Sequence, residues 1–100
     1  HGFLAGILKN IRNYIVQSNR ESGNARPDIL VRYPSIRGKA VIIEIKVAKT
    51  WQDLDKKCEE ALQQIEDQDY EAALRQEGYK DIMKCGVAFY RKECMVKIEK

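Results

Sequence analysis

Histidine is nearly absent: His1 is the single one in 100 residues and stands at the amino end. Nucleophilic catalysis by a Ser–His or Cys–His pair therefore has no credible base in the body of the chain. Cysteine is sparse as well, since Cys58, Cys85 and Cys94 form neither a CxxC nor a Cys/His metal pattern. An odd number of thiols in a chain with an ordinary apolar fraction reads as three reduced core residues. No GxxxxGK[ST] loop occurs, which argues against nucleotide binding of the P-loop kind. No run approaches the roughly 20 uncharged apolar residues that cross a bilayer, and no signal region opens the chain. No membrane role is expected, and the default location is cytoplasmic.

What is present is a chain of 11.6 kDa, 44% hydrophobic and 33% charged. That composition excludes collagen-like, low-complexity and disordered classes, which cannot bury enough surface to offset chain entropy. The length suits one hydrophobic core, so residues 1–100 are read as a single domain. Because it starts at His1 and not at methionine, it is also read as a piece of a longer protein. The net charge of +3 is unevenly spread: residues 51–77 hold nine acids against three bases, a balance of −6 that leaves +9 elsewhere. Such asymmetry fits one solvated acidic helix face and a basic face that can meet a polyanion, though ordinary surface charge would look similar.

Phe3, Leu4, Ile7, Leu8 and Ile11 recur at helical spacing and predict an amphipathic helix over 2–12. Short β-rich segments at 14–18 and 29–31 are separated by the polar stretch 19–25. After turn formers Pro34, Ser35 and Gly38, residues 40–47 form a nearly continuous apolar run, the mark of a buried central strand. Trp51, Leu54, Cys58, Ala61, Leu62 and Ile65 then fall on one helical stripe. A second helical piece over 70–76 should stop at Gly78. Two strands close the chain, 82–90 and 93–99, the last alternating Cys94, Val96 and Ile98 with Glu93, Met95, Lys97 and Glu99 as though one face were wet. The fold class expected is α/β, a mixed central sheet flanked by helices in the order α-β-β-β-α-β-β.

Glu44 and Lys46 break the pattern of the central strand. Strand residues alternate faces, so Ala40, Ile42, Glu44 and Lys46 share one side and Val41, Ile43 and Ile45 the other. Burying either charge unpaired costs on the order of several kcal/mol, and a local rule broken in mid-sheet marks a candidate site. Asp28 opens the preceding strand, and a hairpin turning between Pro34 and Gly38 would lay it toward Glu44. Two carboxylates and a lysine would then converge at one sheet edge. Hard cations such as Mg²⁺, or Mn²⁺, take one or two carboxylates with water and phosphate oxygens, and Asp28, Glu44 and the Ile45 carbonyl can serve. A neighbouring lysine can orient or help deprotonate an attacking water, or stabilise charge on phosphate oxygens. A plain turn at Asp28 and a structural Glu44–Lys46 ion pair would use the same residues. The context favours the site: Pro27-Asp28 opens one strand, Glu44-Ile45-Lys46 lies in the next, 15 residues intervene and a helix follows.

These positions resemble the PD-(D/E)xK nuclease superfamily. More narrowly, His1-Gly2-Phe3-Leu4, Ser18-Asn19-Arg20-Glu21-Ser22-Gly23, Arg26-Pro27-Asp28, Glu44-Ile45-Lys46, Ala61-Leu62-Gln63-Gln64-Ile65 and Gly86-Val87-Ala88-Phe89 are similar to the nuclease-like C-terminal domain behind AAA-type ATPase-like regions of bacterial proteins. The resemblance implies a restriction-endonuclease-like core and metal-dependent hydrolysis of phosphodiesters, in DNA first of all. It implies Asp28 and Glu44 as metal ligands, Lys46 as the catalytic lysine, and Gln64 beside them with Tyr70 as a companion. A surface glutamine would suit the helical wheel at 64 as well. Glu21 and Arg26 would add a carboxylate and a phosphate contact, or pair with each other in the loop. Ala25 stands where such a loop would be expected to carry glycine. The partners implied are nucleic acid and an upstream ATPase-like region.

Arg20, Lys49, Arg91 and Lys92 are further phosphate contacts of no sequence specificity. Trp51, Tyr79, Phe89 and Tyr90 could stack on bases, although such aromatics more often fill cores. The rival class is a catalytically silent nucleic-acid or protein-binding module that keeps the fold; an intact Asp, Glu and Lys set weighs against it. The first helix stripe is where a homo-oligomer contact would be sought.

Overall fold

The computed structural model describes residues 14–18 and 26–100. The helix expected at 2–12 and the loop carrying Arg20 and Glu21 lie outside the described residues. In chain order the elements are β1 (Ile15–Ser18), β2 (Ile29–Arg32), β3 (Lys39–Val47), α1 (Leu54–Asp67), α2 (Tyr70–Glu77), β4 (Asp81–Tyr90) and β5 (Glu93–Glu99). The five strands form one sheet in the order β1-β2-β3-β4-β5, with only β3 and β4 parallel. A parallel pair needs a crossover, and α1 with α2 supplies it. The result is the α/β fold expected, a mixed sheet with two helices in the layout of a restriction-endonuclease-like core. Among the described residues no helix is long and apolar enough to cross a membrane.

Alternation along β3 divides the core. Ala40 and Ile42 face the helices and pack with Leu62, Ile65, Tyr70 and Leu74. Ile43 belongs to the other face, buried with Ile29, Val31, Cys85 and Val87. Helix α1 lies over β3, β4 and β5. Its approach depends on Gly86, where a Cβ would stand 2.4 Å from the Cys58 carbonyl oxygen. Ile29, Ile42 and Ile65 are almost wholly buried, each contributing about 1.5–3 kcal/mol relative to exposure. Helix α2 ends as expected at Gly78, whose φ of +111° is open to glycine without strain.

Three expectations change. Trp51 does not join the buried stripe: it sits in a 3₁₀ turn (Trp51–Asp53), out of phase with α1, and is 62% exposed. Cys94 is exposed while Cys58 and Cys85 are buried, and all three thiols are unpaired. In β5 the alternation holds, yet the apolar row Val96 and Ile98 is the exposed one. Met95 and Lys97 turn instead toward α1, where the Cys58 thiol donates to the Met95 carbonyl and Lys97 meets Asp55 and Glu59. Tyr79 is core, its hydroxyl donating to the Tyr33 carbonyl.

Candidate active site

Pairing of β2 with β3 sets Ile29 opposite Ile43, which brings Asp28 level with Glu44. At this point side chains take over the ladder. The Asp28 backbone N–H donates to Glu44 Oε1 at 2.9 Å, and the Ile45 N–H donates to Asp28 Oδ2 at 2.8 Å. Each acid thus holds a backbone donor of the other strand, which fixes both carboxylates without a flexible loop. Pro27 before them restricts the entry of the chain, having a fixed φ and no N–H to satisfy.

Glu44 is 1% exposed, the one charged residue type buried among the described residues. Its carboxyl is pushed up to about 7, first because burial disfavours the charged form and further because of the Asp28 charge. The Asp28 N–H and the Lys46 charge oppose that rise. Two residues along the same face, Lys46 Nζ donates to Gln64 Oε1 on α1. Gln64 therefore faces the sheet edge and is not a plain surface residue. Tyr70, buried at the start of α2, completes the group: burial raises its hydroxyl pKa, Gln64 lowers it, and the Glu44 and Asp28 charges raise it again. Its position follows from Asp69, whose left-handed φ of +51° turns the chain between the helices. Asp tolerates that conformation better than most residues.

Asp28, Glu44, Ile45, Lys46 and Gln64 are thus brought together. Of the other residues expected at the site, Arg26, Lys49 and Arg91 are described and stand apart from this hydrogen-bonded group. Arg26 is exposed just before Pro27. Lys49 is exposed beyond the end of β3. Arg91 occupies the β4–β5 turn at φ +53°, its guanidinium 5.2 Å from the Tyr90 ring centre. No hydrogen bond or ion pair recorded among the described residues joins Lys49 or Arg91 to the acids. Arg20 and Glu21 lie outside the described residues. Gly86 was underrated by sequence reasoning. It pairs with Glu44 across the β3–β4 ladder, and the signal was there, since glycine inside a strand marks close backbone approach.

Among the described residues no three or more Asp, Glu, His or Cys side chains are grouped so as to hold a metal ion by themselves. Two adjacent carboxylates are nonetheless enough for Mg²⁺, which keeps most of its shell for water and phosphate. The donor set is all oxygen, the type that hard divalent ions take and thiophilic ones do not.

A family model of the PD-(D/E)XK nuclease superfamily matches residues 1–99. The chain belongs to the PD-(D/E)XK nuclease superfamily. No curated protein and no solved structure matches it. The superfamily's pattern is met by Pro27-Asp28 and by Glu44-Ile45-Lys46, the same acids and lysine that the sheet register draws together. Membership in this PD-(D/E)XK superfamily points to nuclease chemistry and nucleic-acid binding.

Proposed function

We propose that this domain is a Mg²⁺-dependent deoxyribonuclease whose site is Asp28, Glu44, Lys46 and Gln64. The observation that carries this reading is the interlocked Asp28–Glu44 pair with Lys46 beside it on the same sheet face. Asp28 and Glu44, with the Ile45 carbonyl, would hold the ion, and Mn²⁺ would serve there too. The bound ion would neutralise the scissile phosphate and acidify a water. Lys46 Nζ orients the attacking water or a phosphate oxygen, and Gln64 keeps Nζ in place by accepting one of its hydrogens. The water oxygen bonds to phosphorus and gives up a proton to solvent, the ester P–O bond breaks, and the departing oxygen takes up a proton from solvent. One end becomes a phosphate and the other a hydroxyl. Arg20, Arg26, Lys49 and Arg91 would bind flanking phosphates, and Glu21 would add a further acid. The unpaired thiols suit a cytoplasmic setting, and an upstream ATPase-like region would be the partner in the longer protein.

The test is cleavage of labelled single-stranded, duplex, nicked and branched DNA in Mg²⁺, wild type beside Lys46→Ala. Cleavage that falls about 10²- to 10⁴-fold in the variant supports the reading. Equal rates would make Lys46 structural, and binding without any cleavage would favour the silent module.

A further inference from the structure

Helix α1 covers β3, β4 and β5, and α2 packs against β3 beside it. Between α2 and the strands β1 and β2 lies a cleft of about 390 Å³. It adjoins the acids directly, because Pro27 precedes Asp28 and Tyr70, whose hydroxyl senses Glu44, lines it as well. Leu30 and Ile42 of the sheet face Ala73 and Leu74 of α2 across it, giving two apolar walls. Gln17, Ser18 and Gln68 place neutral donors and acceptors along its lining.

Two cations, Arg26 and Arg32, and two acids, Asp69 and Glu77, line the cleft, so its formal charges balance. Arg32 Nη1 binds Glu77 at 2.8 Å, so that pair brings no net charge. Arg26 also lines the cleft, is exposed, and enters no ion pair recorded among the described residues. Arg32 keeps one more donor: its Nε is buried with no acceptor among the described residues.

A bare phosphate would want net positive charge throughout, and an aliphatic ligand would leave the amides unused. Apolar walls, neutral hydrogen-bonding groups and a lining whose two cations, Arg26 and Arg32, are matched by Asp69 and Glu77 suit a nucleobase more than a free anion. Arg26, on the side of Pro27 and Asp28, is placed to meet the adjoining phosphate. The volume lies at the low end of the range for ligand clefts, about 300–1,000 Å³, enough for one nucleotide unit and too small for a duplex. We propose that this cleft receives one unpaired nucleotide of a DNA strand whose neighbouring phosphate lies at Asp28 and Glu44, so that the domain acts on single-stranded or flipped-out DNA. The inference rests on the nuclease reading of that site and adds the substrate class.

The test uses fluorescein-labelled oligodeoxythymidylate, alone and paired with oligodeoxyadenylate, in Ca²⁺ so that binding is read apart from turnover. Anisotropy should show the single strand bound at least about tenfold tighter than the duplex. Ala73→Trp, which fills the cleft from the exposed side of α2, should remove that advantage and leave duplex affinity unchanged. Independently of how the variant folds, a strand carrying 5-iododeoxyuridine should photocrosslink the wild type at Tyr70, located by mass spectrometry. Equal affinities for both DNA forms, adducts confined to residues outside 68–77, or a folded Ala73→Trp that binds single strands like wild type would each overturn the proposal. A wild type that binds and crosslinks as expected yet cuts no DNA in Mg²⁺ or Mn²⁺ supports the cleft and overturns the nuclease reading. One that cuts DNA with adducts elsewhere overturns the cleft and keeps the nuclease.

Discussion

Helix α1 touches two groups of charged side chains that are built in opposite ways. Toward β5, Asp55 and Glu59 each lie 2.7 Å from Lys97 Nζ, and both carboxylates stand mostly in water. Lys97 holds its proton more firmly than usual, first through its hydrogen bond to Asp55 and then through Glu59. Toward β2, two acids again meet one lysine, but the lysine is turned to a neutral amide and Glu44 is buried against its own charge. The first group relaxes into solvent, where ion pairs gain and lose little. The second is held in place by backbone donors although its charged form is disfavoured. A sheet built for stability alone would carry an apolar residue at 44. The contrast separates charge that decorates the surface from charge held in the interior at a cost, the kind of local rule-breaking that marks a candidate site.

Glu44→Gln should break the second group most completely. On the proposed function, in which Glu44 would hold the ion, its loss is expected to lower cleavage by about 10³-fold or more. Stability should move the other way. A carboxyl whose pKa rises from 4.5 unfolded to about 7 folded binds more protons in the folded state across that window. Its contribution to stability is therefore intact below pH 4.5 and lost as pH rises through 7. The variant keeps an oxygen to accept the Asp28 N–H and has no charge to bury. Without added metal it should match the wild type near pH 4.5 and exceed it at pH 8, by on the order of 1–3 kcal/mol. Urea unfolding at both pH values checks this, and a Gln variant weaker than wild type at pH 8 would show that Glu44 is a structural asset.

Gly86→Ala tests the packing that brings α1 to the site. The added methyl would meet the Cys58 carbonyl oxygen at 2.4 Å, and backbone cannot step aside as a side chain can. Overpacking of this kind costs about 1–3 kcal/mol, visible as a lower urea midpoint, and cleavage should fall with it because Gln64 rides on the same helix. A midpoint equal to wild type would mean that α1 sits more loosely on the sheet than its contacts imply. Gln64→Leu should be milder. With helix and sheet unmoved, Lys46 loses only its tether, and about a tenfold drop in kcat at nearly constant Tm is expected. No change in kcat would remove Gln64 from the site.

Much of the second group could be read from residue order. Period-two alternation alone puts Glu44 and Lys46 on one face of an apolar strand, and the hairpin after Pro34 directs Asp28 toward them. What residue order hid depends on register and on helix direction. The exchange of backbone N–H groups between Asp28 and Glu44 needs Ile29 opposite Ile43, and a slip of one residue would abolish it. Tyr70 reaches the acids only because Asp69 adopts a left-handed conformation. The exposed row of β5 was misread because alternation tells which residues share a face without telling which face meets α1. Trp51 was misplaced by a single 3₁₀ turn, which no hydrophobic stripe reveals.

Lys97→Met should have the smallest effect, and for that reason it sharpens the contrast. The substitution removes the shared cation, leaving Asp55 and Glu59 one turn apart and mildly repulsive. Two things offset the loss. Both carboxylates are already largely hydrated, and Asp55 lies in the first turn of α1, where the helix dipole favours an acid. The change in Tm should be close to the error of measurement in low salt, disappear in about 1 M salt as screening removes the pair's attraction, and leave cleavage untouched. A loss of stability as large as that of Gly86→Ala, persisting in high salt, would mean that Lys97 anchors α1 to β5 by packing its buried stem. The surface group would then be as structural as the glycine contact, and burial alone would no longer tell the two charge groups apart.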